Sequence, residues 1–181
     1  MKKNSHHSSY AKTLPAPVTS TTLIGQDVVH QVIEGSRLSP RKRIILPFHK
    51  GPESPMHRML NAMQPYSYIQ PHRHLHPPKA ESILVLQGAI LSFLFSPAGE
   101  VNEVHTLAAG ADFFGVDSEP GVFHTFLALT ADTVLFEVKP GPYKESSDKD
   151  FASWAPAEGA AETKEYMEYL YSFGETAPPL F

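Results

Sequence analysis

Pro71-His72-Arg73-His74-Leu75-His76-Pro77-Pro78-Lys79-Ala80-Glu81 is the stretch on which the reading of this 181-residue chain turns. In a β-strand, side chains alternate between faces, so residues i and i+2 project together. His72 and His74 therefore point to one side as half of a metal site. Glu81 opens an apolar run through Gln87, and if it points inward, so do Ile83 and Val85. A carboxylate heading a buried apolar face is costly without a partner, and a cation supplies one. Pro77-Pro78 stiffens the loop that lets the two segments return side by side. Far along the chain, Glu119-Pro120-Gly121 turns into a strand on which His124, Phe126 and Ala128 share a face. His72, His74, Glu81 and His124 form a donor set suited to one divalent transition metal, such as zinc, iron, nickel or manganese. Water or substrate would take the remaining coordination positions. Two alternatives stay open: His76 as a ligand from the loop, and Glu81 as a free acid or base facing an open coordination position.

Around this stretch the texture is that of short strands. Apolar runs fall at 44–48, 56–63, 66–70, 82–87, 89–95, 101–107, 113–116, 122–129 and 133–139, cut by Pro- and Gly-containing breaks. Such spacing without helical crossovers predicts an antiparallel sandwich or barrel. The run at 56–63 also reads as a short helix or turn. Ser96-Pro97-Ala98-Gly99 predicts a hairpin turn, and the strand after it, alternating through Val101, Glu103 and His105, predicts a half-exposed sheet edge. Residues 23–36 carry an apolar stripe at helical spacing that Gly35 would stop. Residues 162–173 carry Tyr166, Tyr169, Leu170 and Phe173 on one helical face.

Composition narrows the function classes. Nineteen acidic residues against fifteen basic ones, a net charge of −4, argue against nucleic acid or an anionic membrane as the main partner. The absence of cysteine excludes disulfides, thiolate metal sites and a Cys nucleophile. No apolar run is long enough for a membrane helix, and residues 1–12 lack the apolar core of a signal peptide. A cytoplasmic location is the expectation that remains.

These motifs resemble the cupin superfamily. The resemblance lies in His72-x-His74, the later Glu81 followed after six residues by Gly88, and Gly121-x-x-His124. The loop between His74 and Glu81 is longer than in most cupins, and Tyr66 stands where a glycine is usual. A narrower group, the WbuC-type cupin-fold metalloproteins, is similar through several further stretches. These are Arg58-Met59-Leu60-Asn61, Tyr68-x-x-Pro71-His72-Arg73-His74, Glu137-Val138-Lys139-x-Gly141-Pro142-Tyr143, Asp148-Lys149-x-Phe151-Ala152 and Trp154-Ala155-Pro156-x-Glu158. The resemblance implies a mainly β protein: a jelly-roll antiparallel β-barrel with a bound metal, here carrying an N-terminal and a C-terminal helix. It also implies an association with bacterial surface-polysaccharide metabolism.

The expected organisation is a flexible arm at 1–20, a cupin domain with its helix at 21–158, and a helical extension at 159–181. His6 and His7 lie in the arm; His49, His57 and His105 read as ordinary histidines. Arg58, Tyr68 and Lys139 are candidates for binding substrate, with Lys139 alternatively pairing with Glu137. Glu81 and Tyr143 are candidate proton carriers. Arg73, between two inward histidines, should point outward. The expected activity is metal-assisted proton transfer on a small polar molecule such as a sugar or sugar nucleotide, of the isomerase or epimerase kind. A non-catalytic small-molecule-binding cupin and a metal-dependent dioxygenase are the alternatives. The edge-like strand and the aromatic helix are the surfaces on which a homodimer would form.

Overall fold

The computed structural model describes residues 11–174. It is mainly β, with two antiparallel five-stranded sheets and two helices. The elements are α1 (Gln26–Leu38), β1 (Arg43–Pro47), β2 (Met56–Met63), β3 (His72–Arg73), β4 (Glu81–Gln87), β5 (Ala89–Phe95), β6 (Val101–Ala108), β7 (Gly115–Ser118), β8 (Phe123–Ala128), β9 (Thr133–Pro140), β10 (Asp150–Phe151) and α2 (Thr163–Ser172). One sheet runs β1-β2-β9-β4-β7 and the other β10-β3-β8-β5-β6. The expected jelly-roll class stands, but the hydrogen-bond ladders do not close into a barrel: among the described residues each sheet keeps its own two edges.

The facing surfaces of the sheets make the interior. Its apolar part is built from Met63, Ile83, Val85, Ile90, Phe126 and Leu135 with their neighbours. Alternation therefore works as expected on β4 and β8, where Glu81 leads Ile83 and Val85, and His124 leads Phe126 and Ala128. Both sheets are also covered on their outer faces, which removes the polar half of the alternation there. On the first sheet, α1 packs Val29, Val32 and Ile33 over Leu60, Ala62 and Val134. On the second, α2 and the segment before it set Met167, Leu170, Ala152 and Ala155 on Leu91, Phe93 and Leu127.

Three expectations are corrected. The helix passes through Gly35 and ends at Leu38, because Ser39, before Pro40, turns to ψ 129°. Gly35 instead permits close approach, since a Cβ there would lie 3.0 Å from Ile44 Cγ2. The run at 66–70 forms no strand: Tyr66 has φ 62°, and the Ile69 carbonyl accepts from Thr125 Oγ1 at 2.6 Å rather than from a ladder. Phe113 and Phe114 lie outside β7, 74% and 51% exposed. The ambiguous run at 56–63 is a strand, and β6 is the half-exposed edge expected of it.

Of the expected arm, His6 and His7 lie outside the described residues. Thr13 bridges to Ile45, and the Leu14 N–H donates to the Ile45 carbonyl at 2.8 Å. The C-terminal extension is described as far as residue 174. No helix among the described residues is long and apolar enough to cross a membrane.

Candidate metal centre

His72 and His124 face each other directly across the β3–β8 ladder. His74 follows β3, where its carbonyl accepts the Gly121 N–H at 3.1 Å, tying the His-x-His segment to the Pro-Gly turn. Gly121 makes that turn at φ 85°, a conformation that disfavours a side chain. Glu81 comes from the opposite sheet, at the first position of β4. The two sheets thus place three imidazoles against one carboxylate. One ligand atom from each lies within 4.8 Å of every other, and all four residues are buried.

The hydrogen bonds settle which ring nitrogens face the centre. His72 Nδ1 is 3.0 Å from the Gln70 carbonyl, His124 Nδ1 is 2.9 Å from the Val122 carbonyl, and His74 Nδ1 bonds to the Asp148 carbonyl. A carbonyl only accepts, so each Nδ1 carries a proton. In a neutral imidazole, Nε2 is then a lone pair. Burial first, and the Lys149 charge second, push the His72 imidazole well below its ordinary value, so this ring is neutral. Carbonyl-anchored imidazoles of this kind are the usual support for metal-ligating histidines.

Glu81 is held as an anion. Burial pushes its carboxyl up, but the Lys139 charge, with His124 and His74 close by, outweighs this and holds it well below the usual carboxylate range. Glu81 Oε2 stands 3.1 Å from His124 Nε2, and Oε1 stands 3.4 Å from His74 Nε2. His74 Nε2 is buried without a hydrogen-bond partner. A carboxylate against imidazole lone pairs is repulsive unless a cation lies between them. Three imidazole nitrogens and one carboxylate oxygen fit a divalent transition metal.

Behind the cluster lies a buried charge network. Lys139 Nζ is 3.3 Å from Glu81 Oε1, from Glu137 Oε1 and from Asp148 Oδ2. Burial works against its ammonium, but these carboxylates outweigh it and push its pKa up. Lys79 Nζ donates to Asp148 Oδ1 at 2.9 Å and to the Pro142 carbonyl at 2.7 Å. Asn61 Nδ2 is 3.4 Å from Glu137 Oε2, while Asn61 Oδ1 is buried without a partner. Burial first, then the Glu81 charge, push the Glu137 carboxyl up.

The other expected site residues are distributed differently. Lys139 takes the Glu137 pairing and adds Glu81 and Asp148. Tyr68 is buried, and its hydroxyl donates to the Pro156 carbonyl at 2.7 Å. Arg58 shares the outer face of β2 with Leu60 and lines a groove of about 190 Å³ with Phe48, Lys50 and Phe136. Tyr143 is 42% exposed, with its ring centroid 6.4 Å from that of His57. Arg73 points outward as expected, donating to Asp150 Oδ2 at 2.7 Å over the Phe123 ring. His76 is exposed and outside the cluster, and His105 pairs with Glu103 at the surface at 2.8 Å. Asn61, Lys79, Asp148 and Lys149 had no assigned role from sequence. Asn61, Asp148 and Lys149 do stand in the quoted WbuC-type stretches, which were the available signal.

A family model described as a domain of unknown function, DUF6016, matches residues 24–107, a span that contains His72, His74 and Glu81 but not His124. No protein of curated function matches the chain. Solved structures similar to it are cupin-fold proteins. KdgF from Halomonas sp. is 18% identical over 57% of this chain and 80% of that one, with a TM-score of 0.42. L-ribose isomerase from Cellulomonas parahominis is 18% identical over 62% of this chain and 70% of that one, with a TM-score of 0.49. Oxalate decarboxylase from Bacillus subtilis is 17% identical over 51% of this chain, with a TM-score of 0.40, and the match spans only 22% of that chain.

Proposed function

We propose that this protein is a metal-binding cupin in which His72, His74, Glu81 and His124 hold one divalent transition metal ion. It acts on a small polar molecule, a sugar or sugar nucleotide, by proton transfer of the isomerase or epimerase kind. The observation that carries this reading is the convergence of imidazole Nε2 atoms on the Glu81 carboxylate, while every Nδ1 is spent on a backbone carbonyl. A bound ion there would polarise a carbonyl or hydroxyl oxygen as a Lewis acid.

The chain's own groups divide the remaining work. Glu81, held as an anion, serves as a ligand. Glu137, whose carboxyl is pushed up, is the group suited to hold and release a proton, at Oε2 beside Asn61. Asn61 Oδ1 offers a buried acceptor to a ligand hydroxyl. Tyr143 would act only from the rim. The sequence resemblance to WbuC-type proteins supports a setting in surface-polysaccharide metabolism for such an activity. A second reading, in which the metal locks the fold and the output is binding, is favoured by the burial of all four ligands at 2–5% exposure.

Elemental analysis of the purified full chain tests the centre. About one equivalent of transition metal is expected, and none in His72→Ala, whose thermal midpoint no longer rises with added metal. Stoichiometric metal retained by His72→Ala, or none taken up by the wild type, overturns the assignment. A thermal-shift screen of sugar nucleotides tests the substrate half, which a screen without any metal-dependent hit would sink.

A further inference from the structure

The network beside the cluster uses two lysines and leaves a third. Lys79 and Lys139 both stand in ion pairs with carboxylates. Lys149 has neither a hydrogen bond nor an ion pair of its side chain among the described residues. Yet it is drawn toward the centre. The antiparallel register pairs Asp150 with Arg73 and Phe151 with His72. One step further along that register sets Lys149 opposite His74. Alternation puts Lys149 on the face of Phe151, whose ring centroid is 6.0 Å from that of His72. Among the charges acting on His72, that of Lys149 is the strongest. Burial first, then repulsion from Lys139, push its own amine down to about 8. It is an ammonium in an electropositive corner, partly open to solvent.

Charge balance indicates what would sit beside it. Glu81 and Asp148 are matched by Lys79 and Lys139, one carboxylate for each ammonium. The Glu137 carboxyl is pushed toward its neutral form. A divalent ion on the cluster adds positive charge to a site where Lys149 already has no counter-charge. An unpaired, half-buried cation is unfavourable, and a ligand anion relieves it. A lone ammonium is a point charge with three donors, suited to one carboxylate rather than to the forked geometry an arginine prefers.

We infer that Lys149 binds the carboxylate of the ligand, and that the natural ligand is a small organic acid carrying a hydroxyl or carbonyl oxygen that reaches the cluster. The inference rests on the proposed metal centre; within small polar ligands it sets a hydroxy or keto acid in place of a neutral sugar or a sugar nucleotide.

Calorimetric titration of the full chain, metal-loaded and metal-free, with glycolate, inorganic phosphate and D-glucose tests it. Glycolate binds the loaded wild type more tightly than phosphate does, and glucose does not bind. Lys149→Met weakens glycolate at least about tenfold, and Lys149→Arg recovers part of the loss. Metal content stays at one equivalent in both variants, and the unfolding midpoint of Lys149→Met is no lower than that of the wild type. A structural ion-pairing role would lower it instead. Equal glycolate affinity in wild type and Lys149→Met, glucose binding as tight as glycolate, or tighter binding of phosphate each overturns the inference. A wild type that takes up no metal sinks the metal centre alone. In that case, glycolate binding by the metal-free chain that depends on Lys149 still supports the lysine's role, and its absence overturns it.

Discussion

The molecule has two polar knots, one half-exposed and one buried, and they are built on opposite logic. In the first, Arg41 Nε and Nη2 reach Glu158 at 2.6 and 2.9 Å, and Arg43 Nη2 reaches it at 2.8 Å. Arg43 Nη1 donates to the Tyr68 carbonyl at 2.6 Å, and the Tyr68 hydroxyl donates to the Pro156 carbonyl. Donors meet acceptors throughout. In the second, His72, His74 and His124 spend their donors on carbonyls outside the centre and turn acceptors toward the Glu81 carboxylate. A knot satisfied by its own chain is a fastening, here clipping the C-terminal segment onto β1. A knot that gathers lone pairs is complete only with something the chain does not carry.

Removing the fastening should cost the most stability. Arg43→Ala leaves the Tyr68 carbonyl without its guanidinium donor and leaves Glu158 to Arg41 alone. Breaking a fully buried pair costs about 3–5 kcal/mol. Glu158 keeps 39% of its side-chain exposure, so water takes over part of the loss. We expect about 2–3 kcal/mol in urea unfolding, with metal still at one equivalent. Loss of metal in Arg43→Ala would show that the two knots are one cooperative unit and erase the contrast.

Acid should separate them along the pH axis. The folded His72 imidazole lies well below its ordinary value, so between that value and about 6.5 the unfolded chain binds more protons there. Its contribution is complete above about pH 6.5 and is lost as pH falls further; ligation by neutral imidazoles weakens in the same direction. Glu158 is different. Burial raises its carboxyl, but the Arg41 hydrogen bond and the Arg43 charge bring it down to about 2. Its contribution is complete above the unfolded value of about 4.3 and disappears only as pH falls toward about 2. Metal retention and circular dichroism followed together should show metal lost at a higher pH than the unfolding transition. A single coincident transition below pH 4 would contradict the separation.

The same contrast explains how much was legible beforehand. All four members of the cluster could be read, because each direction depends on a local rule. Glu81 leads Ile83 and Val85 on one face, and His124 follows a Pro-Gly turn onto the face of Phe126. The fastening and the lysine network could not be read that way. Glu158, Asp148 and Lys149 lie on the irregular chain after β9, where no periodicity aims a side chain; the return of β10 to β3 brings Asp148 and Lys149 to the cluster, and Arg41 and Arg43 hold Glu158. The run at 66–70 looked like a strand because it is apolar. Its groups pair instead with Thr125, which donates to the Ile69 carbonyl, and with the C-terminal segment, whose carbonyls accept from Gln70 Nε2 and the Tyr68 hydroxyl, a tertiary outcome that alternation does not encode.

Arg58 marks the boundary of what pattern reading can place, and it carries the smallest expected effect. Its strand is buried on both faces over most of its length, with Leu60 and Ala62 under α1 and Met59 and Met63 inside, so hydropathy does not say which way Arg58 points. The register with β9 decides it: Arg58 sits beside Val138, on the face opposite Glu137 and Lys139. The guanidinium makes no ion pair among the described residues, and its groove is separated from the cluster by the sheet itself. Exposed substitutions away from caps, cores and buried pairs stay within about 0.5 kcal/mol. Arg58→Ala should therefore unfold within that margin of the wild type, keep one equivalent of metal and bind glycolate with unchanged affinity. A loss of ligand affinity with intact metal content would return Arg58 to the substrate site and require the ligand to reach around the sheet edge.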